Sequence, residues 1–248
     1  MSEIIDHDTW NYSLPKSAVA PKIHLGPIHG VLPYDGVRNP SGRSATSQKV
    51  FLAYRTRANN WTPKVGVAES AAEAAVALEA LIAPSTDDIR FQPLSVHYTG
   101  ESGRRVTYTH DLLITSTSGH RRLVFVRNEH SLSKPATIRS IKEIVKATPR
   151  GEADDMIVVN AADYPRARRD NLFRLHHFVF SPDPEADEIV WHVATRTRSF
   201  YYMRDLFPKA PISAPRVFAA CHRLVARQRL HANLNHVLWE YSRLDVRT

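Results

Sequence analysis

Runs and alternations of apolar positions predict an ordered series of strands and helices. The apolar run 48–56 predicts a strand, and the alanine-rich segment 67–84 predicts a helix that Pro84 ends. The next segments predict three strands, a helix beginning near Pro135, a buried strand and a further helix. These segments are 88–100, 104–118, 120–128, 134–148, 154–164 and 167–180. The order α-β-β-β-α-β predicts an α/β core with a mixed sheet.

A polar break at residues 181–188 separates this pattern from the end of the chain. The sequence beyond it predicts a helix near 198–208, a turn, a second helix over 213–230, and two short strands on either side of 232–236. This order is typical of a winged-helix domain, whose second helix enters the major groove of DNA. A helical hairpin packed on the sheet is the alternative. The expected units are an extended arm (1–40), an α/β domain (41–182) and a winged-helix domain (190–248).

Composition favours an intracellular globular protein. The chain is 43% hydrophobic and has no apolar run long enough to cross a membrane. Its N-terminus lacks the basic and apolar regions of a secretory signal. The single cysteine, Cys221, excludes an internal disulfide and a cysteine-based zinc site. We therefore expect a cytoplasmic protein without a membrane partner.

Positive charge is concentrated near the end of the chain. The net charge is +8, and residues 191–248 contain ten basic and only three acidic residues. Such a region predicts contact with a phosphate backbone, and a solvated basic face is the alternative. A second basic group, before the helix at 67–84, would line a DNA channel or keep an edge strand soluble. The candidate DNA-binding residues are Arg216, Arg223, Arg227 and Arg229 in the first group and Arg43, Lys49, Arg55 and Arg57 in the second.

Acidic and basic residues on the central segments indicate metal-dependent phosphodiester chemistry. Nucleases of this kind place carboxylates around Mg²⁺ and a cation near the scissile phosphate. Asp111 begins one apolar strand, and Arg127 ends the next. Residues 125 and 127 share a strand face, but Phe125 offers no side-chain oxygen. Each residue also has a structural interpretation: Glu73 as a solvated helix residue, Asp111 as the ion-pair partner of Arg127, and Phe125 as core.

Several motifs together resemble one family of nucleases. The stretch 43–178 resembles the N-terminal catalytic domain of the TnsA family, which are transposon-end endonucleases with a restriction-endonuclease-like fold. Two departures are clear, because two residues are missing between Phe91 and Gln92, and His110 stands where the family has proline. The matching motifs are SQK (47–49), ESAAE (69–73), DDIRFQPLSVHY (87–98), YTHDLLI (108–114), RRLVFVR (121–127) and MIVVNAADYPRARRDNLFRL (156–175).

The resemblance implies that Glu73, Asp111 and the residues at 125 and 127 occupy the catalytic positions. Phe125 replaces the expected Glu or Gln, so Mg²⁺ binding should be weak or lost. Arg127 replaces lysine, and a guanidinium binds phosphate well but cannot be deprotonated to activate water. We therefore expect a duplex-DNA-binding protein that has lost cleavage. It would act with transposase, recombinase or phage proteins of a mobile element, and could form a homodimer.

Three alternatives remain open at the level of sequence. An active Mg²⁺-dependent endonuclease would need Glu129 or His110 to replace the missing ligand. A winged-helix transcription regulator would reuse the nuclease fold for dimerisation. A protein scaffold without a role on DNA would show no salt-dependent DNA affinity.

Overall fold

The computed structural model of the protein describes residues 22–42, 48–197 and 200–247. Within these ranges the strands are β1 (Val50–Tyr54), β2 (Lys64–Ala68), β3 (Thr86–Phe91), β4 (Ser95–Thr99), β5 (Arg105–Thr109), β6 (Leu112–Ser116), β7 (Arg121–Arg127), β8 (Asp155–Asn160), β9 (Leu230–His231) and β10 (Asp245–Val246). The α-helices are α1 (Ala71–Ile82), α2 (Glu129–Leu132), α3 (Pro135–Ala147), α4 (Arg166–Phe180), α5 (Pro184–Arg196) and α6 (Ala214–Ala226). Two 3₁₀ helices cover Ala161–Asp163 and Met203–Lys209.

The centre of the fold is a mixed four-stranded sheet in the order β3-β6-β7-β8. The pairs β3–β6 and β6–β7 are antiparallel, whereas β7–β8 is parallel. With α1 before β3 and α3 between β7 and β8, the core follows the order α-β-β-β-α-β, with the hairpin β4–β5 inserted between β3 and β6. The prediction of an α/β protein with a mixed sheet is confirmed.

The two faces of this sheet are covered by different elements. One face packs against α1 and the hairpin β1–β2, through a cluster that includes Phe91, Leu112 and Val124. Alanine side chains of α1 are buried there, and their small size lets the helix approach the sheet closely. The other face is covered around Phe125 by residues of β4 and α3.

Two expected long strands are each divided in two. The segment 88–100 breaks between β3 and β4 at Gln92, whose φ of +49° lies in the left-handed region. The segment 104–118 breaks between β5 and β6, at His110 and Asp111. The backbone N–H of Gln92 donates to the carbonyl of Asp111 over 2.9 Å, so the two breaks lie side by side. Strand β2, whose five residues are all buried, was not predicted from the sequence pattern.

The C-terminal part of the chain packs on α4. Residues 184–188, expected within a break, form the start of α5, and the carboxylate of Asp183 caps its first turn. The helix expected near 198–208 is the 3₁₀ helix Met203–Lys209. The expected hairpin is reduced to the two-residue strands β9 and β10.

The second helix of this region, α6, is an interior helix. Eight of its residues are buried, and α4, α5 and the 3₁₀ helix Met203–Lys209 pack around it. Side chains from α4, among them Leu175, belong to the same core. None of the helices in the described ranges is long and apolar enough to cross a membrane.

Candidate functional site

One edge of the central sheet brings several polar residues together. Because β6 is antiparallel to both of its neighbours, it begins at the edge where β3 and β7 end. Strand β8 runs parallel to β7 and ends at the same edge. Gln92, Asp111 and Arg127 lie at these strand ends. Strand order thus brings together residues that are far apart in sequence, at an edge that α/β sheets commonly use for ligands.

Three carboxylates meet at this edge. Glu69, Glu73 and Asp111 each place a carboxylate oxygen within 4.8 Å of the others, and we call them the acidic cluster. Glu69 lies between β2 and α1, and Glu73 lies in the first turn of α1. The Ser70 hydroxyl accepts a hydrogen bond from the N–H of Glu73, and the Glu73 carboxylate accepts one from the N–H of Glu69. The helix start therefore fixes both glutamates.

Two of these carboxylates are deeply buried. Glu73 is 2% exposed and Asp111 is 3% exposed. Burial raises the pKa of Glu73 well above its ordinary value, and the charge of Asp111 raises it further. Burial also raises the pKa of Asp111 to about 6, although Arg127 and the N–H of Val126 lower it. A proton or a cation would relieve this unfavourable burial of like charges.

Basic side chains border the acidic cluster. Nη2 of Arg38 lies 2.7 Å from Oε1 of Glu69, and Nη1 of Arg127 lies 3.5 Å from Oδ2 of Asp111. Nζ of Lys49 donates to the Glu69 carbonyl over 3.2 Å and lies 3.9 Å from its carboxylate. Each cation therefore offsets part of the negative charge.

Gln92 is a fully buried polar residue of the same site. Its Nε2 donates to Oε1 of Glu73 over 3.3 Å, and its Oε1 accepts from Nη2 of Arg38 over 2.8 Å. Its positive φ is unusual for a residue with a side chain. A strained conformation that persists with the amide directed at two charged groups is typical of a functional site.

A cavity of about 540 Å³ opens over the acidic cluster. Glu69, Glu73 and Asp111 line one part of it, and basic residues line the rest. The basic lining residues are Lys49, Arg127 and Arg169. The cavity therefore combines a carboxylate floor with a cationic border, an arrangement that accommodates a divalent cation and a phosphate next to it.

Phe125 belongs to the apolar core, in agreement with its structural interpretation. It is 2% exposed and packs with Val96 and Ile144. Its ring lies 5.0 Å from that of Tyr108, and the guanidinium of Arg127 lies 4.0 Å above it. This stacking orients Arg127 towards the acidic cluster. The interpretation of Glu73 as a solvated residue is wrong, because α1 packs on the sheet and leaves Glu73 only 2% exposed.

Neither residue proposed to replace the missing ligand joins the acidic cluster. Glu129 does not continue β7; it is exposed in α2, which Asn128 caps. His110 is fully buried, its Nε2 contacts the Thr148 hydroxyl over 3.0 Å, and burial lowers its pKa to about 4. The third carboxylate is Glu69, which lies in the ESAAE motif (69–73) but had no predicted role.

The described members of the second basic group are spread along β1 and beyond it, so a DNA channel lined by them stays a prediction. Arg43 lies outside the described residues. Lys49 lies at the acidic cluster, whereas Arg55 is six residues away along β1, about 20 Å at the usual strand rise. Arg55 stacks on the ring of Phe180, and Arg57 lies 4.0 Å from Asp87. Among the described members, only Lys49 reaches the site.

The four candidate arginines in α6 and directly after it are paired with acidic residues around the start of α5. Arg223 is 2% exposed and its Nε lies 2.7 Å from Oδ1 of Asp187, whose other oxygen lies 2.6 Å from Arg227. Arg216 forms two hydrogen bonds to Asp183 and a third to Glu185. Arg229 pairs with Glu188 and stacks on Trp191. Contact of these residues with DNA stays a prediction.

These ion pairs also change the interpretation of the charge. All four acidic partners lie before residue 190, outside the segment in which the positive charge was counted. Counted from residue 181, the C-terminal part contains ten basic and seven acidic residues, a net charge of +3. The concentration of charge therefore reflects internal pairing as well as surface charge.

No protein-family model and no curated protein matches the sequence. Membership of the TnsA family therefore stays a proposal. Four site residues were not named by sequence reasoning: Arg38, Glu69, Gln92 and Arg169. Three of them, Glu69, Gln92 and Arg169, lie in the quoted motifs. Nothing in the local pattern distinguishes Arg38 or Arg169 from other surface arginines.

Proposed function

We propose that this chain is a TnsA-like duplex-DNA-binding protein that acts with partner proteins of a mobile element. The supporting observation is the acidic cluster at the sheet edge, set beneath a border of Lys49, Arg127 and Arg169. The order α-β-β-β-α-β with a parallel last pair is the core expected of a restriction-endonuclease-like fold. The sugar-phosphate backbone would lie across this border, so affinity should fall steeply with salt.

The acidic cluster fits a hard divalent cation such as Mg²⁺. Glu69, Glu73 and Asp111 offer three carboxylate oxygens, the ligand type that Mg²⁺ prefers. A bound Mg²⁺ would supply charge neutralisation at a phosphate and lower the pKa of a water ligand. Arg38 and Arg127 already neutralise part of the carboxylate charge, so we expect weak affinity.

The residues of the chain define what the site does with a phosphate. Arg127 presents a permanent charge, held by stacking on Phe125 and by donation to the Val126 carbonyl over 2.7 Å. It binds a phosphate oxygen but cannot take a proton from water. Phe125 contributes core packing and the ring on which Arg127 stacks, but its side chain offers no metal ligand. These properties of Arg127 and Phe125 favour binding of DNA over its cleavage.

Active cleavage is a second candidate, and one observation favours it. Glu69 completes a group of three carboxylates although Phe125 provides none. A ligand lost from β7 is thereby replaced from the start of α1. An active Mg²⁺-dependent endonuclease would use the same cluster.

The C-terminal region contributes less directly to this proposal. The order of the 3₁₀ helix, α6 and the pair β9–β10 is the order of a winged-helix domain. A DNA-reading role for α6 would require its arginines to exchange their acidic partners for phosphates. We therefore propose the sheet edge as the principal DNA contact, with the winged-helix regulator as the competing function.

Binding and nicking are tested together on supercoiled plasmid and a labelled duplex, in EDTA, Mg²⁺ or Mn²⁺. We expect salt-dependent binding in EDTA and no nicking in either metal. Metal-dependent nicking that disappears in Asp111→Asn and Glu69→Gln would establish the endonuclease instead. Absence of binding at low salt would reject the DNA function and favour a scaffold.

A further inference from the structure

A second cavity continues the cavity above the acidic cluster. It has a volume of about 640 Å³ and shares Gln48, Lys49, Ala71 and Arg169 with its neighbour. Beyond these shared residues, it adds Arg166 and Asp170 of α4 and apolar residues of β1. The two cavities together form a groove, which we call the α1–α4 groove. It leads from the acidic cluster across Lys49 to the start of α4.

Arg169 occupies the junction of the two cavities. It is half-buried, and within the described part of the chain its side chain has no acidic or hydrogen-bonding partner. By contrast, the neighbouring Arg168 is engaged with Glu79. The guanidinium of Arg169 therefore keeps its five N–H donors available for an anionic ligand. Its fork of donors suits two oxygens of a phosphate.

The remaining residues of the groove support an anionic ligand. Arg166 is 90% exposed at the outer end, and its only acidic neighbour in the described ranges is Asp170 at 3.7 Å. Both α1 and α4 begin at this groove, so the positive ends of two helix dipoles face it. The helix dipoles add to the positive potential of the cationic side chains, on which the proposal is based.

We propose that the α1–α4 groove binds the phosphodiester backbone of DNA, and that Arg169 contacts the phosphate next to the acidic cluster. This inference rests on the proposed function and assigns its principal phosphate-binding residue. Two joined cavities with a cation in each suit a ligand whose negative charge repeats along its length. A free phosphate would fill only one of them.

The test compares Arg169→Ala, Arg169→Lys and Arg150→Ala with the unmodified chain. Arg150 lies in the turn before β8, at the opposite end of the parallel strands, so its variant removes the same charge away from the groove. Binding of a labelled duplex is measured by fluorescence anisotropy in EDTA at several salt concentrations. Thermal melting confirms that each variant is folded.

We expect Arg169→Ala to weaken duplex binding about tenfold at low salt, the loss of one charge-assisted hydrogen-bonding contact. The slope of log affinity against log salt should become shallower by about one. Arg169→Lys should recover part of the affinity, and Arg150→Ala should change neither quantity.

Two results would overturn the groove while leaving DNA binding intact. One is unchanged affinity in a folded Arg169→Ala variant of a chain that binds duplex. The other is competition by inorganic phosphate as effective as that of unlabelled duplex at equal phosphate concentration, which would indicate a site for single phosphates. Failure of the unmodified chain to bind any duplex would instead reject the proposed function together with the groove.

Discussion

Nη1 of Arg127 lies 3.5 Å from Oδ2 of Asp111, across the antiparallel pair β6–β7. Asp111 is almost fully buried, whereas the side chain of Arg127 is 32% exposed. The same carboxylate oxygen accepts the N–H of Val126 over 2.8 Å. The sequence predicted two alternative roles for Asp111, as the ion-pair partner of Arg127 or as a metal ligand. The structure shows the ion-pair contact, and the proximity of Glu69 and Glu73 keeps metal binding as a proposal.

The buried charge of Asp111 should make stability depend on pH. Its folded-state pKa of about 6 exceeds the ordinary value of 3.8, so the folded state binds the proton more readily. The resulting stabilisation is present at low pH and is lost as pH rises from about 4 to 6. Asp111→Asn should therefore raise the free energy of unfolding by about 1–3 kcal/mol at neutral pH. Urea unfolding from pH 4 to 8 measures the difference, which should shrink below pH 6; a difference independent of pH would contradict this origin.

Each carboxylate of the acidic cluster should contribute to cation binding. Glu69→Gln and Glu73→Gln are expected to weaken Mn²⁺ binding at least tenfold, since each removes an anionic ligand. Isothermal titration calorimetry above pH 7 measures the affinity, and Glu129→Gln is the control because Glu129 lies on exposed α2. Equal affinities in Glu69→Gln and the unmodified chain would remove Glu69 from the site. Mn²⁺ affinity should also fall below pH 6, where Asp111 takes up a proton.

The ion pair between Arg223 and Asp187 should be a strong determinant of stability. Both side chains are at least 98% buried, so Arg223→Ala leaves the Asp187 carboxylate with Arg227 as its only cationic partner among the described residues. We expect a loss of about 3–5 kcal/mol in the free energy of unfolding. Arg216→Ala, on the same helix but exposed, should cost much less, because solvent screens its ion pairs with Asp183 and Glu185. Chemical denaturation compares the two, and similar losses would indicate that α6 is not an interior helix.

Asn171 links the C-terminal segment to α4, and we expect its loss to destabilise the fold. It is fully buried, donates to the carbonyls of Leu234 and His236, and accepts from the N–H of Leu238. Asn171→Ala removes these contacts and should cost about 2–4 kcal/mol of stability. Hydrogen exchange should show faster exchange of the Leu238 amide. Unchanged protection there would mean that other contacts, such as the one from Arg174 to Leu238, are sufficient.

The sequence by itself determined the types and order of the core elements and the positions of Glu73, Asp111 and Arg127. Apolar periodicity reports which face of each segment is buried, and that is a local property. The breaks at Gln92 and at His110–Asp111 left no comparable signal, so two pairs of strands were each predicted as one strand. The buried strand β2 was missed. Residues 184–188 were expected in a break because the acidic first turn of α5 has the composition of a polar linker.

Only the tertiary structure decided which charges meet. Glu69 joins the acidic cluster because α1 begins at the edge where β6 starts, and Arg38 reaches it from a segment without periodicity. The arginines of α6 face acidic residues of α5 because the two helices pack together. Partner choice depends on the spatial arrangement of distant segments, whereas the sequence pattern shows only that a residue is charged. Packing therefore distinguishes Arg169, which has no acidic partner in the described ranges, from arginines such as Arg223 that hold the fold together.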